Sequence, residues 1–254
     1  MLRKLFGVRK KDGTGSAAAV PEGSRLYVVG DIHGRIDLLQ RIRECIIEDA
    51  AKAPPGRKVV IHLGDYVDRG ESSRQVVDLL LDEPLEGFEA VFLSGNHEEM
   101  MLGFLDNAAV GAMWLHNGGD ATLFSYGVRM GNSTSLDQRF IEMQRSLRDK
   151  VPERHLAFLR DLEPYHVEGD YLFVHAGIQP GTPIEQQVSQ DLLWIRDEFL
   201  YSKADHGHCV VHGHTIVSQP EFLPNRIGID TGAYFSNILT CLVLEGSNQR
   251  ILQT

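Results

Sequence analysis

The sequence predicts an α/β protein whose strands form a mixed sheet, or two stacked sheets, with helices outside. Three observations predict it. Short runs rich in Val, Ile, Leu and Phe recur along the chain and close on glycine. Stretches with apolar residues at helical spacing separate the first three runs. The last three runs follow one another through short links without a helical pattern.

In chain order, the runs begin with "RLYVVG" (25–30), "KVVIHLGD" (58–65) and "EAVFLSGN" (89–96). Between them lie "DLLQRIRECIIEDAAK" and "SSRQVVDLLLDEP", so the opening reads strand, helix, strand, helix, strand. That order implies right-handed βαβ units and parallel strands. "YLFVHAG" (171–177), "HCVVHGH" (208–214), "RIGIDTG" (226–232) and "ILTCLVLE" (238–245) follow. Their short links predict antiparallel pairing for the last three. Residues 103–169 break the rhythm. "WLHNGGDATLFSYG" (114–127) has a turn-rich composition, and "VPERHLAFLRDL" (151–162) reads as a helix with Pro152 in its first turn. This segment is expected as an insertion within one domain spanning 25–254.

Composition limits the function classes. The chain has 254 residues, 43% apolar and 24% charged, ordinary for a soluble globular protein. No apolar run approaches the roughly 20 residues that span a bilayer, so no stable membrane insertion is expected. Residues 1–24 are expected as a flexible tail. They lack a secretory apolar core, which reads as a cytoplasmic protein. Arg3, Lys4, Arg9, Lys10 and Lys11 carry five positive charges there; removing them from the formal −10 leaves −15 for the remainder. So acidic a body argues against nucleic-acid binding, which needs basic surface. Cys45, Cys209 and Cys241 are far apart and form no CxxC spacing, which reads as reduced thiols.

Polar residues close the strands. Asp31 and His33 follow the first; Asp65, Asp68 and Arg69 follow the second; Asn96 and His97 follow the third. His175, His212 and His214 close two later ones. In open α/β sheets ligands bind beyond the carboxyl ends of the strands, so these groups are expected to converge. Asp31, His33, Asp65, Asn96, His175 and His214 offer carboxylate, amide and imidazole donors, which suit Mn²⁺, Fe²⁺ or Zn²⁺. Six ligands exceed what one ion needs if positions stay open for water and substrate. Two divalent ions follow, with Asp65 as the bridging carboxylate between centres roughly 3.5–4 Å apart. His62, by strand period, faces away from Asp65 and is assigned to packing; His116 is assigned to a surface loop.

The blocks GDIHG (30–34), GDYVDRG (64–70), GNHE (95–98), HAG (175–177) and GH (213–214), in that order, resemble the phosphoprotein phosphatase family of metallophosphoesterases, in its bacterial and phage branch. The resemblance implies a calcineurin-like fold of two packed mixed sheets flanked by helices. It implies that Asp31, His33 and Asp65 hold one ion, with Mn²⁺ the first choice, and that Asp65, Asn96, His175 and His214 hold the other. His214 rather than His212 matches the family's Gly-His. Arg69 would clamp phosphate, with Arg196 of "DLLWIRDE" as the best match for a second clamp and Asn96 beside them. His97 would be the general acid, oriented by Asp68.

The function so implied is a serine/threonine protein phosphatase, also open to phosphotyrosine, that hydrolyses phosphomonoesters of proteins or small molecules. A hydroxide shared by the two ions would attack phosphorus in line, with no covalent phosphoenzyme. The alternative is a symmetrical dinucleoside tetraphosphate hydrolase, whose second block resembles GDxVARG; Asp68 in place of that alanine favours the phosphatase. A non-catalytic scaffold should lack some of these residues, and none is missing. A nucleic-acid phosphodiesterase is disfavoured by the acidic body. Oligomeric state is left open.

Overall fold

The computed structural model describes residues 18–129 and 131–254. Most of the expected tail, residues 1–17, lies outside the described residues. Its last part is tied down: Ala19 and Val20 donate backbone N–H groups to Asp170 Oδ2 and the Gly246 carbonyl at 3.0 Å each, and Val20 is buried.

Among the described residues ten strands form two five-stranded mixed sheets. The strands are β1 (Ser24–Val29), β2 (Arg57–His62), β3 (Glu89–Phe92), β4 (Tyr165–Glu168), β5 (Tyr171–Val174), β6 (Cys209–His212), β7 (Glu221–Phe222), β8 (Arg226–Gly228), β9 (Thr240–Glu245) and β10 (Asn248–Gln253). The first sheet has the order β10-β9-β1-β2-β3, and the second β4-β5-β6-β8-β7. Among the described residues ten α-helices cover them: α1 (Ile36–Ala51), α2 (Ser73–Asp82), α3 (Asn96–Asp106), α4 (Gly111–Trp114), α5 (Asp120–Ser125), α6 (Leu136–Lys150), α7 (Glu153–Arg160), α8 (Ser189–Trp194), α9 (Asp197–Leu200) and α10 (Ala233–Ser236).

Alternation along each strand builds the layers. Leu26 and Val28 of β1 and Val59 and Ile61 of β2 pack against Tyr171, Phe173, Val211 and Ile227 of the second sheet. Tyr27, Val29 and Val60, one residue out of phase, pack under Leu39, Ile42 and Ile46 of α1 and Val76 and Val77 of α2. On the far side, Leu172, Val174 and Val210 pack under Leu192 and Phe199. Strands buried on both faces read as continuous apolar runs, as these do.

The β1–β2 and β2–β3 pairs are parallel, as the βαβ pattern implies. The expected antiparallel pairing of the last strands is corrected: β6 and β8 run parallel, and β9 leaves that sheet to pair antiparallel with β1. The two-residue β7 lies between them in sequence and pairs antiparallel with β8, which turns the chain round. The segment 114–127 is corrected too. It is helical from Trp114 to Ser125, with a π-type turn over Leu115–Gly119 in which Gly118 takes φ 98° and lies so close to Arg69 that a Cβ would stand 2.8 Å from its Cγ. Pro152 caps α7, one residue before the first turn.

Candidate active site

Six strand ends meet at one place. Asp31 and His33 follow β1, Asp65 follows β2 and Asn96 follows β3, while His175, His214 and Asp230 follow β5, β6 and β8. β1, β2 and β3 run parallel, as do β5, β6 and β8, so three carboxyl ends from each sheet point the same way.

Two donor groups form there, His33–Asp65–His97 and Asp65–His175–His214, all buried and sharing Asp65. Asp65 Oδ2 lies 3.4 Å from His33 Nε2, and its Oδ1 lies 3.4 Å from His175 Nε2. The other ring nitrogen of each of these histidines is occupied. His33 Nδ1 donates to the Val67 carbonyl at 3.0 Å and His175 Nδ1 to the Leu63 carbonyl at 2.9 Å, which leaves each Nε2 with a lone pair facing inward. Asn96 Oδ1 lies 2.9 Å from both His175 Nε2 and His214 Nδ1. His214 donates its backbone N–H to Asp31 Oδ2 at 3.0 Å.

The arginine and the acid pair sit beside these groups. Arg69 Nη1 donates to His33 Nε2 at 3.1 Å and Nη2 to His97 Nε2 at 3.2 Å. His97 Nδ1 meets Asp68 Oδ2 at 2.7 Å. Asp68 also accepts from Trp114 Nε1 at 2.9 Å and from the Thr122 hydroxyl at 2.6 Å. The segment 111–125 therefore seats the Asp68 carboxylate.

Burial sets the charges. It pushes His33 down to about 3 and His214 down to about 2, so both stay neutral and keep their lone pairs. Burial also disfavours ionised Asp65, but the surrounding His175, His97, His33 and His214 outweigh it and hold the carboxyl below its usual range. Asp31 is raised well above its ordinary value by burial and by the Asp230 and Asp65 charges. Asp230 is pushed up to about 6, by burial first. For His97, burial opposes the cation, but the Asp65 and Asp68 carboxylates outweigh it and raise the pKa.

The backbone is strained at the same residues. Among the described residues six other than glycine have φ in the left-handed region, and five are His33, Asp65, Asp68, Arg69 and His214. Glycine permits the close approach of these loops: a Cβ on Gly213 would stand 2.0 Å from Asp31 Oδ1, and one on Gly95 2.2 Å from Asp65 Oδ1.

The sequence and the fold have known counterparts. Residues 24–233 match the model of the calcineurin-like phosphoesterases. The chain belongs to the calcineurin-like phosphoesterase family. It is 23% identical over 234 residues to the asymmetrical bis(5'-nucleosyl)-tetraphosphatase PrpE of Bacillus thuringiensis (strain Al Hakam), covering 85% of this chain and 88% of the relative. It is 25% identical over 238 residues to the enzyme of that name from Anoxybacillus flavithermus, with the same shares covered. Among solved structures, a candidate diadenosine tetraphosphatase aligns with TM-score 0.58 and 18% identity over 94% of this chain and 98% of that one. A cold-active protein-tyrosine phosphatase of a psychrophilic Shewanella aligns with TM-score 0.55 and 15% identity, over 92% and 83%. These two likenesses show the shared fold.

The family implies divalent metal ions, and the site's own chemistry fits them. Asp31 Oδ1 and His214 Nε2 are buried without a hydrogen-bond partner among the described residues. Asn96 Oδ1 and His175 Nε2, whose proton is on the other ring nitrogen, face each other at 2.9 Å as two acceptors. Asp31, Asp65, Asp68, Glu98 and Asp230 bring five buried carboxyl groups together, while the hydrogen bonds of the neighbouring Arg69 go to His33 and His97. Carboxylates so buried call for cations.

The structure brings Asp31, His33, Asp65, Asp68, Arg69, Asn96, His97, His175 and His214 together. Arg196 is exposed, although close enough for its charge to oppose protonation of His175 and His214. His212 turns its nitrogens to the Gly213 carbonyl and Arg226, His62 stacks on Phe92 with ring centroids 5.2 Å apart, and His116 is exposed.

Sequence reasoning passed over Glu98, Asp230, Trp114 and Tyr234. Glu98 stands in the quoted GNHE block; its buried carboxylate accepts backbone N–H bonds from Asp65, Tyr66, Val67 and Gly95 at 2.8–3.2 Å. Asp230 closes a strand in "RIGID", the same signal that marked the other strand ends. Trp114 and Tyr234 carry no local signal.

Proposed function

We propose that this phosphoesterase is a hydrolase of dinucleoside tetraphosphates. The observation that carries the chemistry is the pair of donor groups sharing Asp65 with Arg69 against one of them. What favours this substrate is that the PrpE enzymes, named asymmetrical bis(5'-nucleosyl)-tetraphosphatases, match the chain over 85% of its length. The serine/threonine phosphatase expected from Asp68 takes second place.

Asp31, His33 and Asp65 would hold one ion, and Asp65, Asn96, His175 and His214 the other, with Mn²⁺, Fe²⁺ or Zn²⁺ suited to this nitrogen and oxygen set. When bound, two such ions supply a nucleophile at neutral pH and offset phosphoryl charge. The chain's own residues do the rest. Arg69, freed from its histidines, would hold phosphoryl oxygens through paired N–H donors, and Arg196 would extend that hold from the surface. His97, raised in pKa and held at Nδ1 by Asp68, would be placed to give a proton from Nε2 to a departing alkoxide.

A nucleotide leaves as a phosphate anion that is stable near neutrality, whereas a serine alkoxide needs the proton. The Asp68–His97 pair is therefore the specific observation favouring the second reading, a phosphatase of the phosphoprotein phosphatase type. Mn²⁺-loaded protein assayed on diadenosine tetraphosphate, phosphoserine and phosphotyrosine peptides, and p-nitrophenyl phosphate separates the two. Fast release of AMP and ATP supports the proposal; two ADP would indicate the symmetrical cut. Turnover of phosphopeptides with the dinucleotide left intact would overturn the proposal in favour of the second reading.

A further inference from the structure

A tight turn after β8 carries an aromatic pair to the site. The Tyr234 ring lies edge-on to His33 with centroids 5.5 Å apart, and the Arg69 guanidinium carbon lies 4.6 Å from its centroid. Phe235, next in sequence, meets the Tyr234 ring at 5.2 Å and 74°, and is 57% exposed. A ring so exposed gains little from folding.

The turn beneath these rings is nonetheless firmly held. Asp230 Oδ1 accepts the Gly232 N–H at 2.8 Å. Arg35 Nη1 donates to the Ala233 carbonyl at 2.9 Å and to Asn237 Oδ1 at 2.8 Å. Asn237 ends α10 with φ 62°, and Gly232 starts it with φ 68°. Gly232 also lets the Phe235 ring lie against the backbone, since a Cβ there would stand 2.2 Å from Phe235 Cε1. The segment thus offers an apolar ring in a fixed orientation, one residue from the ring that touches both His33 and Arg69. Fixing an apolar contact before binding reduces the ordering cost of the ligand that uses it.

We infer that Phe235, backed by Tyr234, is the platform on which a nucleobase stacks while Arg69 holds the phosphate joined to it. The inference deepens the dinucleotide reading and rests on it for the substrate class. A planar base suits the platform because its face can stack on an aromatic ring without hydrogen-bond readout. The ligand class is a nucleoside di- or polyphosphate, with its phosphates toward the ions and its base outward at the rim.

Inhibition of p-nitrophenyl phosphate hydrolysis by the Mn²⁺-loaded full chain tests this, with ADP and pyrophosphate as paired inhibitors differing by the nucleoside. Phe235→Ala should raise the inhibition constant of ADP about tenfold and leave that of pyrophosphate near wild type. Phe235→Trp should restore ADP binding. An unchanged ratio of the two constants in Phe235→Ala, or an equal rise in both, would overturn the platform. The substrate reading fails separately, if wild-type protein leaves diadenosine tetraphosphate intact. A Phe235→Ala variant that loses phosphotyrosine-peptide hydrolysis while keeping wild-type ADP inhibition would also overturn the inference, and would give the ring to a peptide instead.

Discussion

Trp114 donates its indole N–H to Asp68 Oδ2 at 2.9 Å, and Asp68 passes that fixed orientation to His97 Nδ1 at 2.7 Å. Trp114 is fully buried and packs on Phe104, with ring centroids 4.9 Å apart, so Trp114→Phe keeps much of the packing and removes the donor. The expected result is a fall in kcat of about tenfold on a phosphoserine peptide, with KM little changed, as a part of the 10²–10⁴-fold that a positioned acid contributes. On a dinucleotide, whose leaving group needs no proton, the fall should be much smaller. Steady-state kinetics on both substrates checks it, and equal losses would remove the proton-donor role from His97.

Asp65 belongs to both donor groups. Asp65→Asn should therefore lower the content of both ions together, from two per chain toward none, when protein is equilibrated with Mn²⁺ and gel-filtered. Elemental analysis reads this directly, with circular dichroism to show that the fold persists. Asp31→Asn, by contrast, should weaken one ion more than the other. A full complement of metal in Asp65→Asn would refute the bridge.

Glu98 sets the loop that carries Asp65. Its Oε1 accepts from Tyr66 and Val67 and its Oε2 from Asp65 and Gly95, all inside the protein. Glutamine presents one acceptor and one amide donor, so Glu98→Gln leaves two buried N–H groups unpaired whichever way it turns. The expected cost is about 3 kcal/mol of unfolding free energy, read from urea titrations of the metal-free protein.

His62 predicts a pH dependence. Its ring is buried against Phe92, Nδ1 has no partner among the described residues, and burial lowers its pKa to about 3. In the unfolded chain the ring titrates near 6.5, so between about 6.5 and 3 the unfolded state takes up a proton that the folded state refuses. Stability from this residue is present above pH 6.5 and is lost as pH falls. His62→Phe, which keeps a ring in the stack, should retain about 2 kcal/mol more stability than wild type on going from pH 7 to pH 5. Parallel pH dependence of the two proteins would show that His62 is not the group responsible.

Much of the fold and of the candidate site is legible locally. Strand runs ending in Asp, His and Asn can be read residue by residue, because a buried strand needs apolar side chains and a ligand at its end needs polar ones. The parallel pairing of β6 with β8 is not legible this way. It depends on a two-residue strand, β7, too short to show alternation. The helical character of 114–127 is hidden by Asn117, Gly118 and Gly119, which read as a turn but allow a π-type turn to close against Arg69.

By itself, the sequence determined the layered α/β class, the metal-suited donors and their common place at the strand ends, since period and spacing are properties of the local chain. Only the tertiary structure decided that Trp114 and Thr122 hold Asp68, that Glu98 ties the Asp65 loop, and that Tyr234 lies beside Arg69 with Phe235 next to it. Trp114 and Asp68 are 46 residues apart in sequence. Tyr234 is farther still from Arg69. Such contacts arise from packing between layers, and no local propensity encodes which side chains will meet across them.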